Sequence, residues 1–403
     1  MKKIVSFSIL LTLFFLQSYL IRFNIGAYPT NLLEILILIS TAFFIIERFK
    51  TKQILQTLKN TLQYQVIIAI TILILISIAT TGTNINIDLI RYVKFFVFAA
   101  ILTFITLETF KSSETRKSIL KAAGLGALAF GIFSIIYNLI GFNVTHDLRL
   151  LGPLDSAVYL AYYLAPFSIY FILESFKSKR KSELLFGILL FTIILLTRSI
   201  GAIGGVLIVT GLFLLKETPH KFLRTRLFKT IATAIAVIFI VMTVKTKIIP
   251  AIETNYSSLN ERNEIWQVAI ESLQTPTNLI WGLGYGQFQP YFEENAESIL
   301  NRPPLDTKVL QPHNLFLLSW ANFGLLGLIG LMYLIIRTVK TTNTSQLNKI
   351  LSFMLLYFFL HGQIDTPYFK NDMLLIIILL LEMATINTAS KKSAPKLIDS
   401  GLT

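Results

Sequence analysis

Apolar segments recur along the whole chain, and this recurrence constrains the fold more than any other feature. Stretches such as 66–79 and 373–381 carry no charged residue. The chain of 403 residues is 54% hydrophobic, which is more apolar than an ordinary soluble domain. Segments of this kind are typical of membrane-spanning helices. The sequence therefore predicts an all-α polytopic membrane protein, with residues 1–403 forming a single integral membrane domain.

We predict about twelve transmembrane helices. The chain begins Met1-Lys2-Lys3 before an apolar run, as a signal peptide does, but no small-residue cleavage site follows. The run is therefore interpreted as a retained first helix. The predicted spans are 4–21, 31–47, 65–80, 89–107, 119–140, 157–174, 183–197, 200–215, 228–246, 313–336, 347–361 and 371–387.

Positive charge alternates with these spans. The 36 Lys and Arg residues are concentrated in every second connection, and in membrane proteins such connections face the cytoplasm. Both termini are then cytoplasmic, including a tail at 388–403, and the number of spans is even. The net charge of +14 thus reflects orientation in the cytoplasmic (inner) membrane and gives no reason to expect nucleic-acid binding.

One long polar segment, 245–312, interrupts the apolar pattern and is predicted to lie outside the cytoplasm. Loops of this length are usually functional or disordered. This one is rich in aromatic side chains, which favours a packed extracytoplasmic loop subdomain that contains short helices. Its aromatic residues include Trp266, Trp281, Tyr285, Phe288, Tyr291 and Phe292.

Two arginines at the predicted outer face are candidates for binding phosphate. Arg198 lies in a short turn between two spans and is followed by small residues. Arg262 lies on a predicted loop helix, on a face otherwise formed by apolar residues such as Trp266 and Ile270. Arginine suits phosphate because its planar fork makes bidentate, charge-assisted hydrogen bonds. The alternatives are a snorkelling cation at Arg198 and an intrahelical ion pair at Arg262.

His313 follows Pro312 and is predicted to lie in the first turn of the helix 313–336. The positive end of a helix favours a neutral imidazole, which a general base requires, and also attracts anionic groups. The alternative is an interfacial histidine that makes one ordinary hydrogen bond. Asn314 follows directly, and Gly284 lies in an upstream run of alternating glycines that permits tight turns or close approach of a ligand.

Other polar residues are weaker candidates. Asp155 and Asp365 are potential partners for a histidine or a sugar. His146 and His361 are also predicted to lie outside, whereas His220 falls in a cytoplasmic connection. None of the histidines has the spacing of a metal-binding motif, and the chain has no cysteine. We therefore predict neither a metal nor another cofactor.

Three motifs together resemble the O-antigen ligase and polymerase family of membrane glycosyltransferases. They are Thr197-Arg198-Ser199-Ile200-Gly201-Ala202, then Arg262-x-x-x-Trp266 leading to Gly282-x-Gly284-x-Gly286-x-Phe288, and finally Pro312-His313-Asn314. In the first motif Ile200 stands where the family often has glycine. The predicted topology, with one large outer loop late in the chain, is also similar to that of this family.

The resemblance implies a GT-C-like fold and a metal-independent transfer of a glycan from undecaprenyl diphosphate to an acceptor hydroxyl. It implies that Arg198 and Arg262 bind the diphosphate and that His313 activates the acceptor, with Trp266, Gly284, Asn314, Asp155 and Asp365 in support.

The acceptor stays open among a glycan, a lipid and a protein, so polysaccharide polymerase and protein O-glycosylating enzyme are alternatives to ligase. From another class, a transporter or flippase of lipid-linked glycans predicts charges deep in several spans, and the span centres are almost free of charge.

Overall fold

The computed structural model describes residues 1–26, 28–81, 87–143, 148–217, 241, 243–245, 249, 258–307, 309–341, 345–366 and 370–392. These residues are mostly helical. In chain order the helices are α1 (Lys2–Phe14), α2 (Leu32–Lys50), α3 (Ile54–Asn60), α4 (Gln65–Thr81), α5 (Ile87–Thr109), α6 (Ser113–Leu139), α7 (Ala157–Ser178), α8 (Lys181–Leu196), α9 (Ile200–Glu217), α10 (Ser258–Ser272), α11 (Pro276–Trp281), α12 (Phe288–Leu300), α13 (Leu315–Thr341), α14 (Gln346–His361) and α15 (Asn371–Lys392).

Within the described residues, five helices are long and apolar enough to cross a membrane. They are α5, α6, α7, α9 and α13, and α3 with α4 would make a sixth span bent by 72°. This agrees with a multi-pass, mostly helical membrane protein. The number of twelve spans stays a prediction, and most of the predicted span 228–246 lies outside the described residues.

The all-α prediction misses a short β-hairpin. Helix α1 ends at Phe14, a 3₁₀ turn covers Leu16–Leu20, and strands β1 (Arg22–Ile25) and β2 (Tyr28–Asn31) pair antiparallel with Arg22 opposite Asn31. The side chain of Asn31 then caps α2 by accepting a hydrogen bond from the Glu34 amide at 3.0 Å. The first predicted span, 4–21, is thus shorter as a helix, and its end forms a turn that leads into the hairpin.

Helix α7 lies at the centre of the membrane bundle. Most of its residues are buried, including the two tyrosines Tyr162 and Tyr163. It packs against α6, α8, α9 and α14. Gly201 and Gly205 of α9 face α14, because a Cβ at these positions would lie 2.8 Å from His361 and 2.9 Å from Tyr357. These small residues therefore allow α9 and α14 to approach closely.

Ion pairs join the helix ends that are predicted to be cytoplasmic. Lys117 contacts Glu174 and Lys121 contacts Glu183, each at 2.9 Å. Glu217 at the end of α9 accepts from Lys177 at 2.7 Å. The connections assigned to one side by charge counting are therefore neighbours in the fold.

The two ends of the chain pack together. The Gln17 amide donates to the buried Asp372 carboxylate at 2.6 Å. Glu382 of α15, also buried, accepts a hydrogen bond from the backbone amide of Ile67 at 2.8 Å. Helix α15 thus lies against elements from the first part of the chain, including α4 and α5.

The long polar segment folds on its own apolar cluster. Ile265, Val268 and Ala269 of α10 pack with Phe288 and Phe292 of α12. The predicted buried face of α10 is rotated from the one observed, because Ile270 is 54% exposed and Trp266 is only half-buried. The spacing of apolar residues in the sequence fits two overlapping faces of α10, so it did not identify which of them is buried.

The contact between α1 and α6 provides a test of the packing. A Cβ added at Gly126 would lie 2.0 Å from the carbonyl oxygen of Phe14, whereas one at Gly330 would meet nothing within 4 Å. We expect Gly126→Ala to destabilise the protein by about 1–3 kcal/mol, as overpacking generally does. Thermal unfolding in detergent measures this, and Gly330→Ala, the matched control, should leave Tm nearly unchanged. Equal melting of both variants would contradict the α1–α6 contact.

Candidate active site

A cavity of about 800 Å³ opens where distant parts of the chain meet. Its walls come from the segments around Arg22, Lys94, Asp155, Gln311 and Asp365, all at span ends predicted to lie outside. The lining combines basic and acidic groups in one place. They are Arg22, Arg91, Lys94, His313 and Lys370 together with Asp155, Asp306 and Asp365.

The carboxylate of Asp365 is the centre of this arrangement. It is only 4% exposed, and its oxygens contact His313 Nδ1 at 2.8 Å, the Thr366 amide at 2.9 Å and the Arg262 guanidinium at 3.2 Å. Burial alone would raise the pKa of Asp365, but the hydrogen bond from His313 and the charge of Arg262 outweigh it and hold this pKa well below its usual range. Asp365 is therefore ionised.

The ionised state of Asp365 fixes the tautomer of His313. A carboxylate can only accept hydrogen bonds, so the Nδ1 of His313 carries the proton and donates it. In the neutral ring Nε2 then holds the free lone pair. His313 also lines the cavity and is 26% exposed. This geometry suits a base that is oriented by a carboxylate.

His313 does not lie in the first turn of a helix, so that prediction was wrong. Helix α13 begins at Leu315, and His313 has a left-handed backbone with φ of 51°. Asn314 supplies the cap, because its Oδ1 accepts from the amides of Phe316 at 3.0 Å and Leu317 at 3.2 Å. Its Nδ2 donates to the Gln363 carbonyl at 3.2 Å. Asn314 therefore joins the start of α13 to the segment that carries Asp365.

The guanidinium of Arg262 reaches from α10 to the same segment. Its Nε donates to the Ile364 carbonyl at 2.6 Å, and its Nη1 donates to the Ser258 carbonyl at 2.7 Å. With the Nη2 contact to Asp365, these bonds use three of its five N–H groups. Arg262 thus fixes both the backbone and the carboxylate next to His313.

Arg198 lies apart from this cluster. Its side chain is exposed, its backbone is left-handed with φ of 52°, and it is not among the described residues that line the cavity. The turn is nevertheless connected to the site, because Gly201 packs against the His361 ring, four residues before Asp365. His361 is buried, and its Nδ1 lies 2.8 Å from the Tyr357 hydroxyl. His361 therefore packs between the Arg198 turn and the Asp365 segment.

The glycine run supports one wall of the cavity. The amides of Tyr285 and Gly286 already donate to Ser77 Oγ and Asn322 Oδ1, each at 2.8 Å. A Cβ at Gly286 would lie 2.4 Å from the Tyr92 ring, which lines the cavity. Gly284 therefore belongs to a tight turn, with φ of 115°, that packs on α5 and α13. The interpretation as a turn explains this segment better than a phosphate cradle does.

The remaining candidates differ in position. Asp155 lines the cavity at its exposed side, where its Oδ2 lies 3.9 Å from Lys370 Nζ. Trp266 lines a different groove on α10. His146 and His220 lie outside the described residues. In the described part of the chain, no group of three or more histidines and carboxylates is arranged to hold a metal ion.

Four cations of the cavity were not predicted as site residues. They are Arg22, Arg91, Lys94 and Lys370. Lys370 Nζ lies 3.3 Å from the centre of the Tyr159 ring, and burial lowers its pKa. Lys94 pairs with Glu34 at 3.0 Å, whereas Arg22 has no ion-pair partner among the described residues. Their shared location on the side predicted to lie outside was a signal in the sequence, but their convergence depends on the fold.

Comparison with known proteins supports the resemblance found in the sequence. Residues 185–332 match the family described as O-antigen ligase. The match includes Arg198, Arg262 and His313, and it indicates a function of the O-antigen ligase or polymerase type. No curated protein matches the chain.

The low pKa of Asp365 predicts how stability depends on pH. Folding depresses this pKa, so the stability contributed by Asp365 is complete above its unfolded value, about 4, and is lost as the pH falls toward the folded value. We expect the Tm difference between wild type and Asp365→Asn to be largest above about pH 5 and to shrink below about pH 4. Asp155→Asn is the control, since that side chain is 84% exposed. A Tm difference for Asp365→Asn that does not change with pH would contradict the assignment.

Proposed function

Because residues 185–332 match the O-antigen ligase family, we propose that the protein is a membrane glycosyltransferase. It moves a glycan from undecaprenyl diphosphate to an acceptor hydroxyl at the extracytoplasmic face. The observation that carries this proposal is the His313–Asp365 pair, 2.8 Å apart, at the wall of a cavity lined with cations.

In this proposal His313 is the general base. Asp365 holds the Nδ1 proton, so Nε2 accepts the proton of the acceptor hydroxyl as its oxygen attacks the anomeric carbon of the donor sugar. The bond from that carbon to the diphosphate oxygen breaks, and undecaprenyl diphosphate leaves. The ionised Asp365 stabilises the imidazolium that forms.

The leaving diphosphate is stabilised by fixed cations. Arg22, Arg91, Lys94 and Lys370 line the same cavity as His313, and preorganised charges can offset the negative charge that develops. Such groups make a metal ion unnecessary, so transfer should proceed in the presence of a chelator. In the proposed phosphate clamp Arg262 offers the two N–H groups that the described residues leave unused. Arg198 contacts the diphosphate from the neighbouring turn, outside the described lining of the cavity.

The proposal includes an orientation. Twelve spans with both termini in the cytoplasm put every segment that lines the cavity on the outer side. The 245–312 subdomain then lies outside, and the tail at 388–403 lies inside. An outward cavity is consistent with a donor whose diphosphate sits at the outer headgroups while its lipid stays in the bilayer.

Within the family, ligase, polymerase and protein O-glycosylating enzyme would share this donor site and differ in acceptor. The His–Asp pair favours all three over a flippase, because moving a lipid across the bilayer requires no general base. We therefore retain transfer to a hydroxyl as the proposed chemistry.

The role of His313 is tested by His313→Ala. Purified protein in lipid nanodiscs should lose transfer by about 10²–10⁴-fold, the usual contribution of a positioned base. Binding of the lipid-linked donor should change little, because the cations hold the diphosphate. The residual activity of this variant should lack the acid limb of the pH–rate profile.

His220→Ala, in a predicted cytoplasmic connection, is the matched control for His313→Ala. Unchanged turnover, or complete loss of donor binding, would contradict a base at His313.

Substitutions of Arg198 and of Arg262 should have different effects on KM and kcat. Arg198→Ala should raise KM for the donor with little change in kcat, as expected for a phosphate contact alone. Arg262→Ala should also lower kcat and shift the acid limb of the pH–rate profile. Asp365 and the Ile364 carbonyl would each lose one hydrogen-bond donor. Lysine at 262 should rescue poorly, since it cannot reproduce the planar fork. An unchanged KM for Arg198→Ala would rule out the clamp, and an unchanged pH profile for Arg262→Ala would rule out positioning.

A further inference from the structure

A second, open groove of about 820 Å³ runs along the outer face of α10. Its lining includes Asn263, Trp266, Gln267, Glu271 and Arg302. Residues 263, 267 and 271 form a stripe about 100–180° around the helix from Arg262, given 3.6 residues per turn. The helix therefore presents Arg262 to the catalytic cluster, and the groove extends from Trp266, about 40° around the helix from Arg262, to the far side.

An ion pair between buried Glu264 and exposed Arg302 forms the second wall of the groove. Glu264, 6% exposed, pairs with Arg302 and accepts a hydrogen bond from the Leu305 amide at 2.8 Å. These contacts attach the segment after α12 to α10. Because the charges of Glu264 and Arg302 offset each other, the groove lacks the excess of positive charge that a phosphate or an anionic membrane surface would need.

Several polar groups in the groove make no hydrogen bond with the described residues. The side chains of Asn263 and Gln267 are exposed and make no hydrogen bond with the described residues. The indole Nε1 of Trp266 is buried, and it too lacks a partner in the described part of the molecule. Because this N–H has almost no accessible surface, Trp266 can offer a ligand in the groove its half-buried ring and not its N–H.

We propose that this groove binds a neutral stretch of the glycan, a few sugars away from the bond that is formed. A sugar ring offers a C–H face to an aromatic side chain such as Trp266 and a rim of hydroxyls that both donate and accept. Carboxamides match such hydroxyls because each carries an acceptor oxygen and two donor hydrogens. Asn263 and Gln267, one helical turn apart, supply two such carboxamides, and Glu271 lies one turn further along the same stripe.

The position of the groove agrees with this assignment. Trp266 lies one helical turn from Arg262, and residues 263, 267 and 271 lie farther around a helix that is about 10–12 Å wide with its side chains. The groove therefore extends about that distance away from the Asp365 cluster. A glycan of several sugars extends over such a distance while its reducing end stays in the cavity. That the ligand is the glycan of the donor or of the product rests on the proposed function. Binding of a glycan in the groove can nevertheless be measured without any transfer reaction.

The test uses the full-length protein in nanodiscs and two soluble probes. One is the oligosaccharide released by mild acid from the lipid-linked glycans of the source cells, and the other is chitotetraose. Binding is followed by ligand-observed NMR and tryptophan fluorescence. The double variant Asn263→Ala with Gln267→Ala should weaken binding of the released oligosaccharide by about tenfold or more, as two hydrogen bonds are lost. Trp266→Phe should also weaken binding and should remove the fluorescence change.

Control variants separate this proposal from the proposed activity. Glu293→Ala with Glu297→Ala, at the same spacing on α12, should bind the oligosaccharide like wild type. His313→Ala should also bind normally although it transfers nothing, so the groove can be correct even where the transferase is wrong. Where transfer is seen, the groove double variant should lose the preference for donors with long glycans over donors with one sugar.

Three outcomes would overturn the proposal. They are no binding of the released oligosaccharide to wild type, equal binding by the groove double variant, and equal weakening by the α12 control. Preferential binding of anionic vesicles through Asn263 and Gln267 would likewise assign the groove to lipid and not to a glycan.

Discussion

The arrangement of the candidate active site depends on one buried charge. A carboxylate removed from water is tolerated only when it is paired and hydrogen-bonded, and Asp365 obtains its partners from three different elements. Arg262 comes from the loop subdomain, His313 from the residues just before α13, and Thr366 from the segment that carries Asp365 itself. The requirement to satisfy Asp365 therefore holds the soluble subdomain against the membrane helices and at the same time orients the imidazole.

A second layer of packing supports this charge. His361 ends α14 four residues before Asp365, and its ring contacts Gly201 on one side and lies 4.6 Å from the Tyr162 ring, between centroids, on the other. Because Gly201 has no side chain, the Arg198 turn can lie close to this histidine. Arg198 and Asp365 thus belong to one packed unit although they are far apart in sequence, and displacement of α9 would be transmitted to the Asp365 segment.

Much of the site could be predicted from sequence, because isolated polar residues at the ends of apolar spans are informative. His313 and Asp365 were candidates on those grounds, Arg262 was a candidate because it lies on an apolar face of a loop helix, and the fold brings the three into contact. The position of His313 relative to its helix was missed: Asn314 is a preferred N-cap residue that the prediction overlooked, and the left-handed backbone of His313 leaves no clear signal in the sequence. The hairpin and the convergence of Arg22, Lys94 and Lys370 depend on tertiary contacts that no local pattern encodes.

The contact between the two ends of the chain has a consequence for biosynthesis. The cavity is lined by Arg22 at one end and by Lys370 at the other, and Gln17 binds Asp372 across 355 positions. Polar groups near the start of the chain, such as the Gln17 amide, therefore lack these partners until α15 has left the ribosome. Contacts of such long range form slowly, so an incomplete nascent chain that lacks α15 has no assembled cavity.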